Sequence, residues 1–232
     1  MSSLGVDGCR AGWYAVSRAM DGQLEGRVFP TMHDLLQHAP GDGPIAVDIP
    51  IGLTTATSRP CDLGSRRFLA PRRSSSVFPA PYRAVLAAHS HPEASEIRRG
   101  IDGKGVSIQA FAITAKIQEI DTVLLDTPRW QERVYEVHPE VSFAALNGNT
   151  PLKNSKKRSA GRTERLELLT RHFGAAPEDL VRKRTRKSVA ADDVLDAIVA
   201  LWSAERIATG RACSIPLVPD HDERGLRMAI HY

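Results

Sequence analysis

The sequence predicts an α/β fold: a mixed sheet of three antiparallel strands followed by parallel ones, flanked by helices, with a mostly helical insertion. Three observations predict it. The stretch Leu4 to Val16 runs apolar, reaches Asp7, turns through glycines and resumes as an aromatic and β-branched run. A second apolar strand, Pro44 to Leu53, returns after a helix and so joins the sheet by a right-handed crossover. Late in the chain, Ser188 to Trp202 is apolar on most sides, as a helix laid across a sheet must be.

In order, Leu4 to Cys9 and Gly12 to Val16 read as a hairpin, with Gly8 and Gly12 permitting close backbone approach. Gly26 to Pro30 is a short third strand. Thr31 caps a helix to about Ala39 that turns Leu35 and Leu36 inward. After the turn Gly41-Asp42-Gly43 comes the strand that carries Asp48. Residues from about 54 to 130 form the helical insertion, read as a separate section. Its elements are a helix opening at Arg59-Pro60-Cys61-Asp62, a Pro- and Ser-rich stretch from Ala70 to Tyr82, and a helix near Pro92 to Arg99. Gly100 to Gly105 reads as a turn, and Val106 to Leu125 as one long helix with Ile108, Phe111, Ile113, Ile117 and Ile120 at helical spacing. The sheet resumes at Arg133 to His138, and Pro139 starts a helix to Leu146. A basic loop from Lys153 to Arg162 leads to a helix over Thr163 to Phe173. The last helix runs from Ser188 to about Thr209, and Ile215 to Val218 and Leu226 to Ile230 are short strands. Trp13 and Trp202 are assigned to the core.

With 232 residues, 42% of them hydrophobic, the chain suffices for one domain over 1–232 with its insertion. A net charge of +4 permits a phosphate-rich partner without demanding one. Cys9, Cys61 and Cys213 lack the spacing of a zinc site or a disulfide framework. They fit a reducing compartment, and no apolar run has the length of a membrane span, so a cytoplasmic protein is expected.

The chemistry lies in carboxylates inside apolar elements: Asp7, Asp48, Glu136 and the group Asp192, Asp193 and Asp196. Asp193 and Asp196 are three apart and share a helical face. Burying several carboxylates together costs hydration and sets like charges against each other. A divalent cation removes both costs, and Mg²⁺ or Mn²⁺ suits oxygen ligands. Two such ions about 4 Å apart clamp the attacking water and the leaving oxygen in phosphodiester hydrolysis. Each acid also has a plainer reading. Asp7 can be a turn aspartate bonded to its own backbone, and Asp48 can cap the turn after its strand. Asp192 reads first as an N-cap or first-turn acid, Asp193 equally as that or as a ligand. Asp196, beyond the first turn, calls for a metal or a buried arginine. Glu136 can pair with an arginine such as Arg133, and His138 is taken as a satisfied structural histidine.

The placement of Asp7, Asp48 and Asp193-x-x-Asp196 resembles the RNase H-like superfamily, and the late Asp-x-x-Asp its Holliday-junction-resolvase branch. Five blocks in order resemble more closely a family of prokaryotic proteins carrying domain of unknown function 429, whose members are commonly labelled predicted RNase H-like nucleases. They are Gly5 to Trp13, Val47 to Leu53, Ser75 to Pro81, Tyr135 to Glu140 and Asp192 to Ala197. The resemblance implies a metal-dependent nuclease in which Asp7 bridges the ions, Asp48 and Asp196 complete the metal ligands, and Asp193 and Glu136 are second choices. RNase H itself places a glutamate on the helix after the third strand. That helix offers only Asp34 here, so the resolvase pattern is expected.

Basic residues gather in three places, and nucleic-acid contacts are assigned to Arg72, Arg73, Lys156, Lys157, Arg182, Lys183, Arg184, Arg186 and Lys187. Phe78 and Tyr82 either stack on bases or pack the insertion on the sheet. Three other functions share this ancestry or chemistry: an actin-like or sugar-kinase-like phosphotransferase, a non-catalytic nucleic-acid-binding protein, and a hydrolase of small phosphoesters. The first needs a second full domain, for which 232 residues leave little room, and a second Asp-Gly turn following a strand, which is not evident.

Overall fold

The computed structural model describes residues 2–232. Its centre is a five-stranded mixed sheet in the order β3-β2-β1-β4-β5. Strands β1 (Leu4–Cys9), β2 (Gly12–Arg18) and β3 (Leu24–Phe29) form an antiparallel meander. The tight turn at Arg10-Ala11 works because Gly12 has φ 125°, and a Cβ there would meet the Phe29 carbonyl oxygen at 2.2 Å. Helix α1 (Met32–Gln37) begins where the Thr31 hydroxyl accepts from the Asp34 N–H at 3.0 Å, and carries the chain to β4 (Ile45–Val47). β4 lies parallel to β1 and to β5 (Val134–Glu136). This is the expected α/β architecture, and it is consistent with an RNase H-like fold.

Between β4 and β5 the chain forms α2 (Pro60–Phe68), α3 (His91–Asp102), α4 (Ile108–Ala112) and α5 (Thr114–Asp126), with short 3-10 turns between them. The long helix expected from Val106 to Leu125 is two helices. Ile113 ends α4 at φ −100°, ψ −2°, and the Thr114 hydroxyl bonds back to the Phe111 carbonyl at 2.8 Å. Apolar spacing runs on across such a break and hides it. Nor is this section separate from the sheet. Ile117, Ile120 and Leu124 of α5 join Met32 and Leu35 of α1 against Val6, Val47 and Val134, so α5 is one wall of the main core.

After β5 come α6 (Pro139–Leu146), α7 (Ser159–Phe173), α8 (Ala176–Lys183) and α9 (Ala191–Ala208). Helix α8 occupies a stretch that had shown only its charge run, because its buried face is just Pro177 and Leu180. Helix α9 covers the other side of the sheet, packed on Tyr14 and Val16 with Phe143, Leu168 and Leu169 around it. Contact is made possible by Gly5: a Cβ there would lie 2.0 Å from the Leu201 nitrogen and 2.2 Å from the Ala197 carbonyl oxygen. The helix backbone therefore sits directly on β1.

The last strands, β6 (Ser214–His221) and β7 (Arg227–His231), form an antiparallel ribbon beside α2, tied to the sheet by a bridge from His231 to Val137. Among the described residues no helix is long and apolar enough to cross a membrane. Trp13 and Trp202 are buried, as expected.

Candidate metal centre

Strand pleat and register build the site. Along β1, Leu4 and Val6 face α5, so Gly5 and Asp7 face α9. The parallel register sets Val6 beside Val47, and the Asp48 N–H donates to the Val6 carbonyl at 2.9 Å. Asp48 therefore leaves β4 next to Asp7, on the α9 side. The close seating of α9 over Gly5 then delivers Asp196, one residue before Ala197. Oxygens of Asp7, Asp48 and Asp196 all lie within 4.8 Å of one another.

Asp7 and Asp196 are buried and Asp48 is partly exposed. Burial, then the charges of Asp48 and Asp196, lift the Asp7 carboxyl well above the usual carboxylate range. Burial and Asp196 push Asp48 up to about 8. Burial raises Asp196 too, opposed by Lys156, whose Nζ lies 2.6 Å from Asp196 Oδ2. The Asp196 charge in turn raises the Lys156 ammonium. Asp196 Oδ1 is buried and has no hydrogen-bond partner among the described residues. An orphaned buried oxygen beside two more carboxylates is a hard-oxygen donor set, which fits Mg²⁺ or Mn²⁺.

Glu136 does not join the trio. It pairs with Val47, one step before Asp48 in register, and so its side chain leaves the opposite face of the sheet. There the Glu136 carboxylate meets Arg59, at 2.6 and 2.8 Å, and accepts from the Ile51 N–H at 2.8 Å. Arg59 also holds Asp62 at 2.6 Å and the carbonyls of Ile51 and Gly52, so this buried cluster is closed by its own cation. Its partner is Arg59 rather than Arg133, whose guanidinium is turned to the Gly41 and Gly43 carbonyls. The i,i+3 spacing in the sequence signals only the Arg59–Asp62 pair, not the pairing of Arg59 with Glu136.

Asp193 stands outside the trio. Its Oδ2 accepts the Ala190 N–H at 2.8 Å, so it caps α9, and burial raises its carboxyl. Asp192 lies in the same first turn. Asp34 bonds Thr31 at the start of α1. His138 is not satisfied: its Nδ1 is buried without a partner among the described residues, and burial lowers its affinity for a proton. Glu140, unremarked in the sequence, is buried between Arg165 and Arg73 and adds its charge at Asp48, Asp196 and His138.

The basic residues divide. Lys156 pairs with Asp196 of the trio, and Arg73 is 3.3 Å from Glu140. Arg184 bonds the Val181 carbonyl and Arg182 pairs with Asp179 at 2.5 Å. Arg72, Lys157, Lys183, Arg186 and Lys187 are exposed. Arg10, in the turn after Asp7, reaches the Lys187 carbonyl at 3.5 Å and brings the end of the basic run beside the β1–β2 turn. Tyr82 is buried with its hydroxyl on Asp102 at 2.9 Å, so it packs the helical section, while Phe78 is exposed.

No curated protein and no solved structure matches the chain. A family model described as "Protein of unknown function (DUF429)" matches residues 5–223, which include Asp7, Asp48 and Asp196. By that match over nearly its whole length, the chain belongs to the DUF429 family.

Proposed function

We propose that the protein is a metal-dependent phosphodiester hydrolase acting on nucleic acid, a nuclease. The convergence of Asp7, Asp48 and Asp196 from β1, β4 and α9 carries this reading. These three residues would hold Mg²⁺ or Mn²⁺. When bound, such an ion polarises a phosphoryl oxygen and lowers the pKa of water, the two requirements of phosphodiester hydrolysis near neutral pH.

The chain's own residues supply the rest. The trio presents more negative charge than Lys156 balances, which favours a divalent cation over a second ammonium. Arg186, Lys187 and Lys183 offer exposed positive charge from the segment that Arg10 ties to the site's edge, suited to a phosphate backbone of any sequence.

The test incubates the protein with labelled single- and double-stranded DNA and RNA and with bis-p-nitrophenyl phosphate, each with Mg²⁺ or Mn²⁺. Cleavage of a polymer that chelator abolishes, and that Asp7→Asn and Asp48→Asn lack, supports the reading. Hydrolysis of the small ester alone moves the substrate to small phosphoesters. Hydrolysis of neither, with metal bound, overturns it.

A further inference from the structure

We propose that Lys156 is the exchangeable counter-ion of the carboxylate trio: it holds Asp196 while the site is free of metal and turns to a substrate phosphate once a divalent cation has loaded. The proposal rests on the metal-site reading above and adds to it a positioning residue and an order of events.

The first observation is where Lys156 stands. Its ammonium meets Asp196 Oδ2 at 2.6 Å, and the Asp196 carboxylate neighbours those of Asp7 and Asp48. Yet one charge does not balance three. Oxygens of Asp7, Asp48 and Asp196 all lie within 4.8 Å of one another, and Asp196 Oδ1 has no hydrogen-bond partner among the described residues. The lysine is an incomplete substitute for a cation of higher charge. A divalent ion bound to Asp196 would be repelled by an ammonium 2.6 Å from the same carboxylate, so the two occupants compete.

The second observation is how Lys156 is mounted. The chain just before it is fixed. Leu152 is buried, and Glu164 accepts from the Lys153 and Asn154 N–H groups at 3.0 and 2.9 Å. Gly161 lets the Ser155 carbonyl approach so closely that a Cβ would lie 2.0 Å from its oxygen. Arg165 holds the Asn154 carbonyl at 3.2 Å. The Lys156 side chain, by contrast, is 39% exposed, and its one hydrogen bond among the described residues is the ion pair with Asp196. Release is then a swing of a flexible four-carbon stem about a fixed pivot, with no loop opening. Repelled from a loaded site and held at its rim, the ammonium is left where it can meet an anionic phosphate oxygen, which it binds as a point charge.

Manganese calorimetry at pH 8.5 on wild type and Lys156→Met tests the competition. The variant is expected to bind Mn²⁺ about 10-fold more tightly, since no resident ammonium has to leave. Equal affinity in the two proteins overturns the proposal and leaves the metal site standing. No binding in either overturns both. A second measurement uses the wild-type chain alone, so that folding of the variant is not at issue. Reductive methylation followed by mass spectrometry compares Lys156 with the exposed Lys153 and Lys157 as internal references. Lys156 is expected to react slowly without metal, faster by about 10-fold with saturating Mg²⁺, and slowly again when oligothymidylate is added. A Lys156 rate that Mg²⁺ leaves unchanged overturns the exchange. A rate that oligothymidylate leaves high overturns the phosphate contact.

Discussion

Asp7 and Asp48 stand side by side because β1 and β4 run parallel with Val6 opposite Val47, and each strand places an aspartate directly after that pair. Neither acid has to be brought in by a loop. Gly5 then fixes the third member, because a helix whose backbone touches β1 at Gly5 sets Asp196 over Asp7.

Asp7→Asn removes one of three crowded carboxylates at no change in shape. The metal-free variant is expected to melt higher by about 2–6 °C, because burial and two neighbouring charges hold this group in an unfavourable state. Differential scanning calorimetry in chelator checks it, and unfolding at a lower temperature would make Asp7 a structural residue.

The same crowding has a pH signature. A carboxyl raised on folding keeps a proton that the unfolded chain has lost, so stability falls as pH rises between the unfolded and folded values. Between about pH 7 and pH 8 His138, His172 and His231, whose shifts are downward, are mostly neutral in both states. Asp48, raised to about 8, still titrates there, and its charge acts on Asp7, itself raised well above the usual carboxylate range by burial. Metal-free protein is expected to lose stability across that interval, Asp7→Asn to lose less, and saturating Mg²⁺ to flatten the curve. Thermal melts at four pH values with and without chelator provide the comparison.

Gly5→Ala puts a methyl group into the α9 backbone. A loss of about 3 kcal/mol or more is expected, measurable by urea unfolding, together with weaker metal binding because α9 carries Asp196. A stable variant with intact metal binding would show that α9 is not seated by this glycine.

Glu136→Gln should separate stability from chemistry. Arg59 loses one of two buried carboxylates, which costs about 3 kcal/mol. Metal stoichiometry, read by calorimetry, is expected to stay that of the wild type.

Replacing Lys183, Arg186 and Lys187 with alanine removes exposed charge outside the trio. Oligonucleotide affinity should drop and its log–log dependence on salt should become shallower by about 2 units for single strands. Fluorescence anisotropy across a salt series reads the slope, and metal affinity serves as the unchanged control.

Asp7, Asp48 and Asp196 could be read from the sequence for one reason: each interrupts an otherwise apolar element, and a buried charge must be matched. Glu136 met the same criterion and went to the other face, because strand register is a one-residue quantity that composition does not carry. The partners that neutralise buried acids were harder still. Arg59 lies 77 residues from Glu136, Arg165 25 residues from Glu140 and Lys156 40 residues from Asp196, so each pair exists only through the fold. Lys156 read as one more basic residue of an exposed loop, since nothing local announces that its neighbour will be a buried aspartate.

The central claim is that Asp7, Asp48 and Asp196 form a divalent-cation site, and titration of Mn²⁺ into wild-type protein and into Asp7→Asn and Asp196→Asn tests it most directly. Saturable stoichiometric binding in the wild type, lost or weakened at least about 10-fold in both variants, is the predicted result. Absence of binding in the wild type, or binding that survives both substitutions, would contradict it.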